Sequence, residues 1–234
     1  MLAIDPTARV APTAAIGAGV EIGPYCVIGP KVTVGDGCKL VSHVSIQGRT
    51  AVGARTSIGP FASLGSPPQS VHYHGEDTTL TIGEDCDIRE HVTVNLGTAK
   101  GRGTTTIGHH VFMGGLCAIQ QFTRVGERVM IGGVIGVTSD IIPYAIVIGG
   151  RGNRGRLAGL NRVGLRRGGF SAEQLRTLKR AYDELFFGND QFADRLGRVS
   201  EAYAGDPHVM RIVEFIRSGK RKLAMPRDTD DQDD

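Results

Sequence analysis

The stretch TTTIGHHVFMGG, Thr104 to Gly115, sets His109 and His110 side by side in glycine-rich, aliphatic surroundings. An imidazole titrates near neutrality, so either ring could act as a general base or acid. A second group gathers in GSPPQSVHYHGEDTTL, which offers Gln69, His72, Tyr73, His74 and Glu76. Polar groups of this density with no core to serve read either as a ligand-contacting loop or as a solvated excursion. A third group, Arg151, Arg154, Arg156, Arg162, Arg166 and Arg167, occurs with no acidic residue among them and makes a strong local positive field. Four cysteines, Cys26, Cys38, Cys86 and Cys117, complete the reactive side chains.

The elements that must position these groups follow from a period of six. Aliphatic residues recur at Ile4, Val10, Ile16, Ile22, Ile28, Val34, Leu40, Ile46, Val52, Ile58 and Leu64. The same phase returns at Ile82, Ile88 and Val94, and a shifted one at Ile107, Met113, Ile119, Val125, Ile131 and Val137. A strand repeats every two residues and a helix every 3.6, so neither explains six. Short strands joined by glycine-assisted turns, three to a coil, do explain it. They stack into a triangular prism of between six and seven coils with an aliphatic core. Each cysteine lies four residues after an aliphatic position, in the small inward slot that Val20, Val32 and Thr56 fill elsewhere. Packing is therefore their expected role, and their spacing matches no zinc motif.

The repeat is interrupted from Gly65 to about Thr81 and from Gly97 to about Thr106. It ends near Pro143, and residues 149–225 read as a small helical domain behind a prism of residues 1–148. Ser171 to Gln174 has the form of a capping box, and Leu175, Leu178, Ala181, Tyr182 and Leu185 follow at helical spacing. Phe192, Leu196 and Val199 mark a second helix; Val209, Ile212, Val213 and Ile216 mark a third. Residues 226–234 form an acidic tail expected to be disordered. A net charge of +3 is too small to argue for nucleic acid. No apolar run approaches a membrane span, and MLAIDPTARV lacks the features of a signal peptide, so a cytoplasmic protein is expected.

With these parts in place the chain resembles the acyl-carrier-protein-dependent UDP-N-acetylglucosamine O-acyltransferases that begin lipid A biosynthesis. The resemblance rests on DPTARVAPTAAIGAGVEIGPYCVIGP, PPQSVHYHGED, DIREHVTVNLGT, IQQFTRVGERVMIGG, and GLNRVGLRRGGFS followed by AYDELFF. It implies a left-handed parallel β-helix of hexapeptide repeats followed by a small C-terminal α-helical domain. It also implies a homotrimer with active sites in clefts between neighbouring prisms. The partners implied are acyl carrier protein and UDP-N-acetylglucosamine, with no cofactor and no metal. In such enzymes a histidine takes the proton of the sugar 3-hydroxyl as it attacks the acyl thioester, and a backbone amide receives the oxyanion.

The resemblance carries over residue by residue, with departures. Gln69 and His72 match the substrate-contact loop, although Ser70 and His72 stand where an acidic residue and a lysine are usual. Asn161 and Arg167 match residues that resemble nucleotide-diphosphate contacts, and Gly168 replaces a second arginine. Gly133 matches a position that limits acyl-chain length, and Gln120 and Gln121 replace a His-Gln pair. The arginine-rich segment fits docking of the acidic carrier or a solvated basic surface. The hexad that carries the family's base is absent: about two coils, roughly 36 residues, are missing just before His109.

His109 has the right place within its hexad but the wrong face, because counting on two hexads from Ile107 leads to Gln121. No catalytic residue is therefore assigned, and substrate binding is assigned to Gln69, His72, Gln121, Gly133, Asn161 and Arg167. Three readings follow. The chain transfers a 3-hydroxyacyl group without the usual base; it is a non-catalytic paralogue that trimerises and binds UDP-sugar or carrier protein; or a loop histidine, His72 or His74, replaces the base on another sugar nucleotide.

Overall fold

The computed structural model describes residues 3–99 and 103–226. The acidic tail beyond Pro226 lies outside the described residues. All twenty aliphatic hexad positions fall within short strands, and these strands form three parallel sheets. Face A begins with Ala3–Ile4, face B with Arg9–Val10 and face C with Ala15–Ile16; they hold nine, seven and six strands. Pairings such as Ile4 with Ile22, Ile58 with Ile88 and Met113 with Ile131 stack the same inward position coil upon coil. The core is therefore a column of aliphatic side chains. Among the described residues no coil lies beneath the first, and Ile4 is 41% exposed while Ile22 is buried.

Many of the corners turn through a residue with positive φ, as at His110, Leu116 and Phe122 around one coil, and the strand-end glycines let successive coils approach. A Cβ on Gly83 would lie 2.6 Å from the carbonyl carbon of Gly108, and one on Gly53 2.5 Å from that of Gly83. Only glycine fits a backbone approach this close. The four cysteines are buried in the inward slot. The Cys38, Cys86 and Cys117 thiols donate to the carbonyls of Gly53, Gly108 and Gly132 at 3.1, 3.2 and 2.8 Å.

Face A continues past the repeat as a hairpin of Ala145–Gly149 and Gly155–Leu160, the only antiparallel pairing among the described strands. Four helices follow: α1 (Arg162–Arg167), α2 (Ala172–Phe186), α3 (Phe192–Ala202) and α4 (Pro207–Ser218). The capping box is present at Ser171 and Gln174, and α4 starts on an Asp206 cap with Pro207 in its first turn. No described helix is long and apolar enough to cross a membrane.

Arg124 fastens α4 to the prism. Its guanidinium meets the Asp140 carboxylate at 2.7 Å, Ser218 Oγ at 3.0 Å and the Phe215 carbonyl at 2.9 Å. Asp140 is 1% exposed and also accepts the Arg124 backbone N–H at 3.0 Å, so its charge is compensated inside the protein.

Candidate functional site

Both interruptions of the repeat leave the prism at one corner. The first joins Ser63–Ser66 on face B to Thr79–Ile82 on face C, and the second joins Thr93–Asn95 to Thr104–Ile107. The first loop is held down by two hydrogen bonds of 2.9 Å from Arg49 to Asp77 and by one of 3.1 Å from Asn95 Nδ2 to the Pro67 carbonyl. Backbone N–H groups of Glu76 itself and of His74 hold the Glu76 carboxyl below its usual range. Gln69 and His72 are exposed on this loop, and neither side chain is hydrogen-bonded among the described residues.

Gln121 stands at the same B/C corner. It follows the face B strand Ala118–Ile119 and precedes the face C strand Arg124–Val125. It is half-buried, its side-chain amide has no partner among the described residues, and the Phe122 N–H behind it is taken by Thr105 Oγ1 at 2.8 Å. Gly133 lies at the A/B corner, before the face B strand Gly136–Val137. Its φ is not in the left-handed region, and an added Cβ would point toward the Gly115 carbonyl at 3.3 Å. Backbone conformation therefore does not require glycine there; the missing side chain leaves room beside the corner.

Asn161 and Arg167 fall at the third corner. Asn161 caps α1: Oδ1 accepts the Gly164 N–H and Nδ2 donates to the Arg128 carbonyl, both at 3.0 Å. Its own N–H donates to the carbonyl of Tyr144, which like Arg128 turns the C/A corner. Arg167, in the last turn of α1, is exposed and unpaired among the described residues. The six residues singled out from sequence thus occupy three separate corners of one prism. Gln69, His72 and Gln121 share one, Gly133 sits across face B from them, and Asn161 and Arg167 lie elsewhere.

His109 and His110 also turn the C/A corner, one face away from Gln121, as the hexad count requires. His109 Nδ1 accepts the Glu84 backbone N–H at 3.1 Å, which puts the ring proton on Nε2. His110 Nδ1 lies 3.9 Å from Asp85, whose carboxyl Arg55 holds below the usual range; burial lowers the His110 pKa. Arg211 and Glu127, 2.9 Å apart, lie with His109 along a cleft of about 530 Å³ between α4 and face C.

The arginine-rich segment divides. Arg156 donates to the Pro226 carbonyl at 3.1 Å, whereas Arg162 and Arg166 join Arg176, Lys179 and Arg180 around a cleft of about 610 Å³ between α1 and α2. Among the described residues no group of three or more His, Cys, Asp or Glu could hold a metal ion.

Two features escaped the sequence reading. Tyr25, His43, Phe61 and His91 stack along the A/B corner with ring centroids 4.9, 4.6 and 5.0 Å apart. The 18-residue spacing of the first three, one coil each, was a usable signal. The Arg124, Asp140 and Arg221 cluster joins partners too distant in sequence for any periodicity to reveal.

The sequence profile of UDP-N-acetylglucosamine O-acyltransferase domain 2 matches residues 140–224, and that of the bacterial transferase hexapeptide, six repeats, matches residues 13–48. An acyl-[acyl-carrier-protein]–UDP-N-acetylglucosamine O-acyltransferase of Azorhizobium caulinodans is 46% identical over 266 residues, covering 95% of each chain. The protein of that name from Caulobacter vibrioides is 40% identical over 225 residues, covering 80% of this chain and 84% of that one. Because 80% of 234 residues is about 187, some 38 of those 225 aligned positions face no residue here, close to two coils. A solved UDP-N-acetylglucosamine acyltransferase, 33% identical, covers 96% of this chain and 99% of its own with a TM-score of 0.64. With 46% identity across nearly its whole length, the chain belongs to the acyl-[acyl-carrier-protein]–UDP-N-acetylglucosamine O-acyltransferase family, and it is a member shortened by about two coils.

Proposed function

We propose that the protein transfers a 3-hydroxyacyl group from acyl carrier protein to the 3-hydroxyl of UDP-N-acetylglucosamine, the first step of lipid A biosynthesis. The site combines two copies of a cytoplasmic homotrimer. The observation that carries this reading is the spread of the six candidate residues over three corners. One copy offers Gln69, His72 and Gln121 beside the loops, and a neighbour brings Asn161 and Arg167 to meet them. The Arg167 guanidinium, unpaired among the described residues, suits a diphosphate. Gly133 leaves room for the acyl chain. The basic cleft between α1 and α2 matches the charge of an acidic carrier protein.

In the reaction the sugar O3 attacks the thioester carbonyl, the carrier thiol leaves, and the hydroxyl proton must go to a base. Gln121, at the corner where the family's histidine would stand, can donate or accept a hydrogen bond but cannot take that proton. Turnover is therefore expected to fall below that of full-length relatives by about 10² to 10⁴. The same observation favours a second reading, a non-catalytic paralogue that trimerises and binds UDP-sugar or carrier protein.

The test is an acyl-transfer assay with purified protein, a 3-hydroxyacyl carrier thioester and UDP-N-acetylglucosamine, run beside calorimetric titration of the nucleotide sugar. Slow turnover supports the transferase, and binding without turnover supports the paralogue. Turnover abolished by His72→Ala or His74→Ala would identify a loop base. Neither turnover nor binding would defeat the reading altogether.

A further inference from the structure

After α4 the chain turns back over the end of the prism. Residues 219–226 are pinned by backbone hydrogen bonds: Asp140 donates to Lys222 at 3.0 Å, Ala224 to Asp140 at 2.9 Å and Leu157 to Met225 at 3.0 Å. This strap delivers Arg221 to the corner that bears Gln121. The Arg221 guanidinium donates to the Thr138 carbonyl at 2.8 Å and reaches the Gln121 carbonyl one coil below at 3.4 Å. It lies 4.4 Å from the centroid of the Phe122 ring. The Asp140 carboxylate, engaged by Arg124, stands 4.0 Å from its Nε.

The turn that Arg221 grips is a strained one. Phe122 has a φ of 55°, a left-handed conformation that costs a non-glycine residue roughly 1–2 kcal/mol, so neighbours must hold it in place. Two do: Thr105 Oγ1 takes the Phe122 N–H from the coil below, and Arg221 covers the ring and the Gln121 carbonyl from the coil above. Between these restraints the Gln121 amide has no protein partner among the described residues. That arrangement fits a group whose backbone is fixed so that its side chain can meet a ligand.

We propose that Arg221 is a positioning residue that holds the Gln121 turn in the geometry needed to contact the nucleotide sugar. Arg221 itself does not touch substrate. The proposal rests on the reading that Gln121 faces UDP-N-acetylglucosamine. It makes the C-terminal strap part of the site, through a side chain 100 residues from the one it orients.

The experiment compares wild type, Arg221→Met, Gln121→Ala and the double variant by calorimetric titration with UDP-N-acetylglucosamine, and follows backbone hydrogen exchange at Phe122. Arg156→Met serves as a control that loosens the strap at Pro226 without touching the corner. Each single change at 121 or 221 is expected to weaken binding about tenfold, and the double variant no further, because both act through one group. Phe122 exchange should quicken at least about tenfold in Arg221→Met and stay at the wild-type rate in Arg156→Met. Additive losses in the double variant, or unchanged Phe122 exchange in Arg221→Met, would overturn the proposal. Wild-type binding by Gln121→Ala would instead defeat the functional reading, and the exchange rate would still decide whether Arg221 holds the turn.

Discussion

His109 Nδ1 accepts the backbone N–H of Glu84 across 3.1 Å, and the Glu84 carbonyl accepts the N–H of His110 at 2.8 Å. These bonds join successive coils at the place where the family resemblance puts the missing pair. Face C stays continuous across it, with Thr79, Leu80, Thr81 and Ile82 paired to Thr104, Thr105, Thr106 and Ile107. Removing whole coils returns every strand to its own face, so the prism closes without a register error.

A His109→Ala variant should therefore lose stability and keep function. Losing one hydrogen bond between coils is expected to cost about 1 kcal/mol, read as a lower urea midpoint. Binding of UDP-N-acetylglucosamine and any acyl transfer should stay within about twofold of wild type, since the His109 ring is engaged with the Glu84 backbone between coils and is assigned no part in the reaction. Abolished turnover in a folded His109→Ala protein would contradict this.

A site shared between copies makes a mixing prediction. Gln121→Ala and Arg167→Ala homotrimers should each bind the nucleotide sugar poorly. Denaturing and refolding them together one to one should restore intact sites at about a quarter of interfaces, because each pairs residues from two different chains. Calorimetric stoichiometry checks this, with light scattering to establish three chains per particle. No recovery in well-formed mixed trimers would place both residues of a site on one chain.

The thiols give a pH prediction. Burial raises the pKa of all four cysteines, Cys86 to about 11. The neutral thiol is thus favoured in the folded state, so its stabilising contribution is complete below the unfolded pKa, near 8.5, and fades as pH climbs through the raised values. Urea midpoints should fall from about pH 9 toward pH 11. At pH 8 a thiol reagent should leave the native protein untouched and label four cysteines in denaturant; rapid native labelling would contradict the burial.

Asp140→Ala should be among the most destabilising single changes. It strands the Arg124 guanidinium and removes the acceptor of the Arg124 N–H at the junction of prism and α4. Breaking a buried ion pair from one side costs about 3–5 kcal/mol. Urea unfolding followed by circular dichroism would detect it, and a midpoint close to wild type would show that the junction carries little of the stability.

Much of this molecule is written in its period of six. Once three strands make a coil, a residue's number gives its face by counting, which separated His109 from Gln121 and buried Cys26, Cys38, Cys86 and Cys117. Local capping chemistry likewise marked the start of α2 at Ser171. The helical region has no such rule. Where α1 rests, and so that Asn161 and Arg167 lie at the C/A corner away from Gln121, depends on contacts with Arg128 and Tyr144. That Arg221 returns to Gln121, and that Arg124 ties Asp140 to the end of α4, was likewise decided only in three dimensions. A stacked coil repeats one local geometry, so its sequence determines it; packing a helical domain on its end depends on side chains that meet only once the chain has folded.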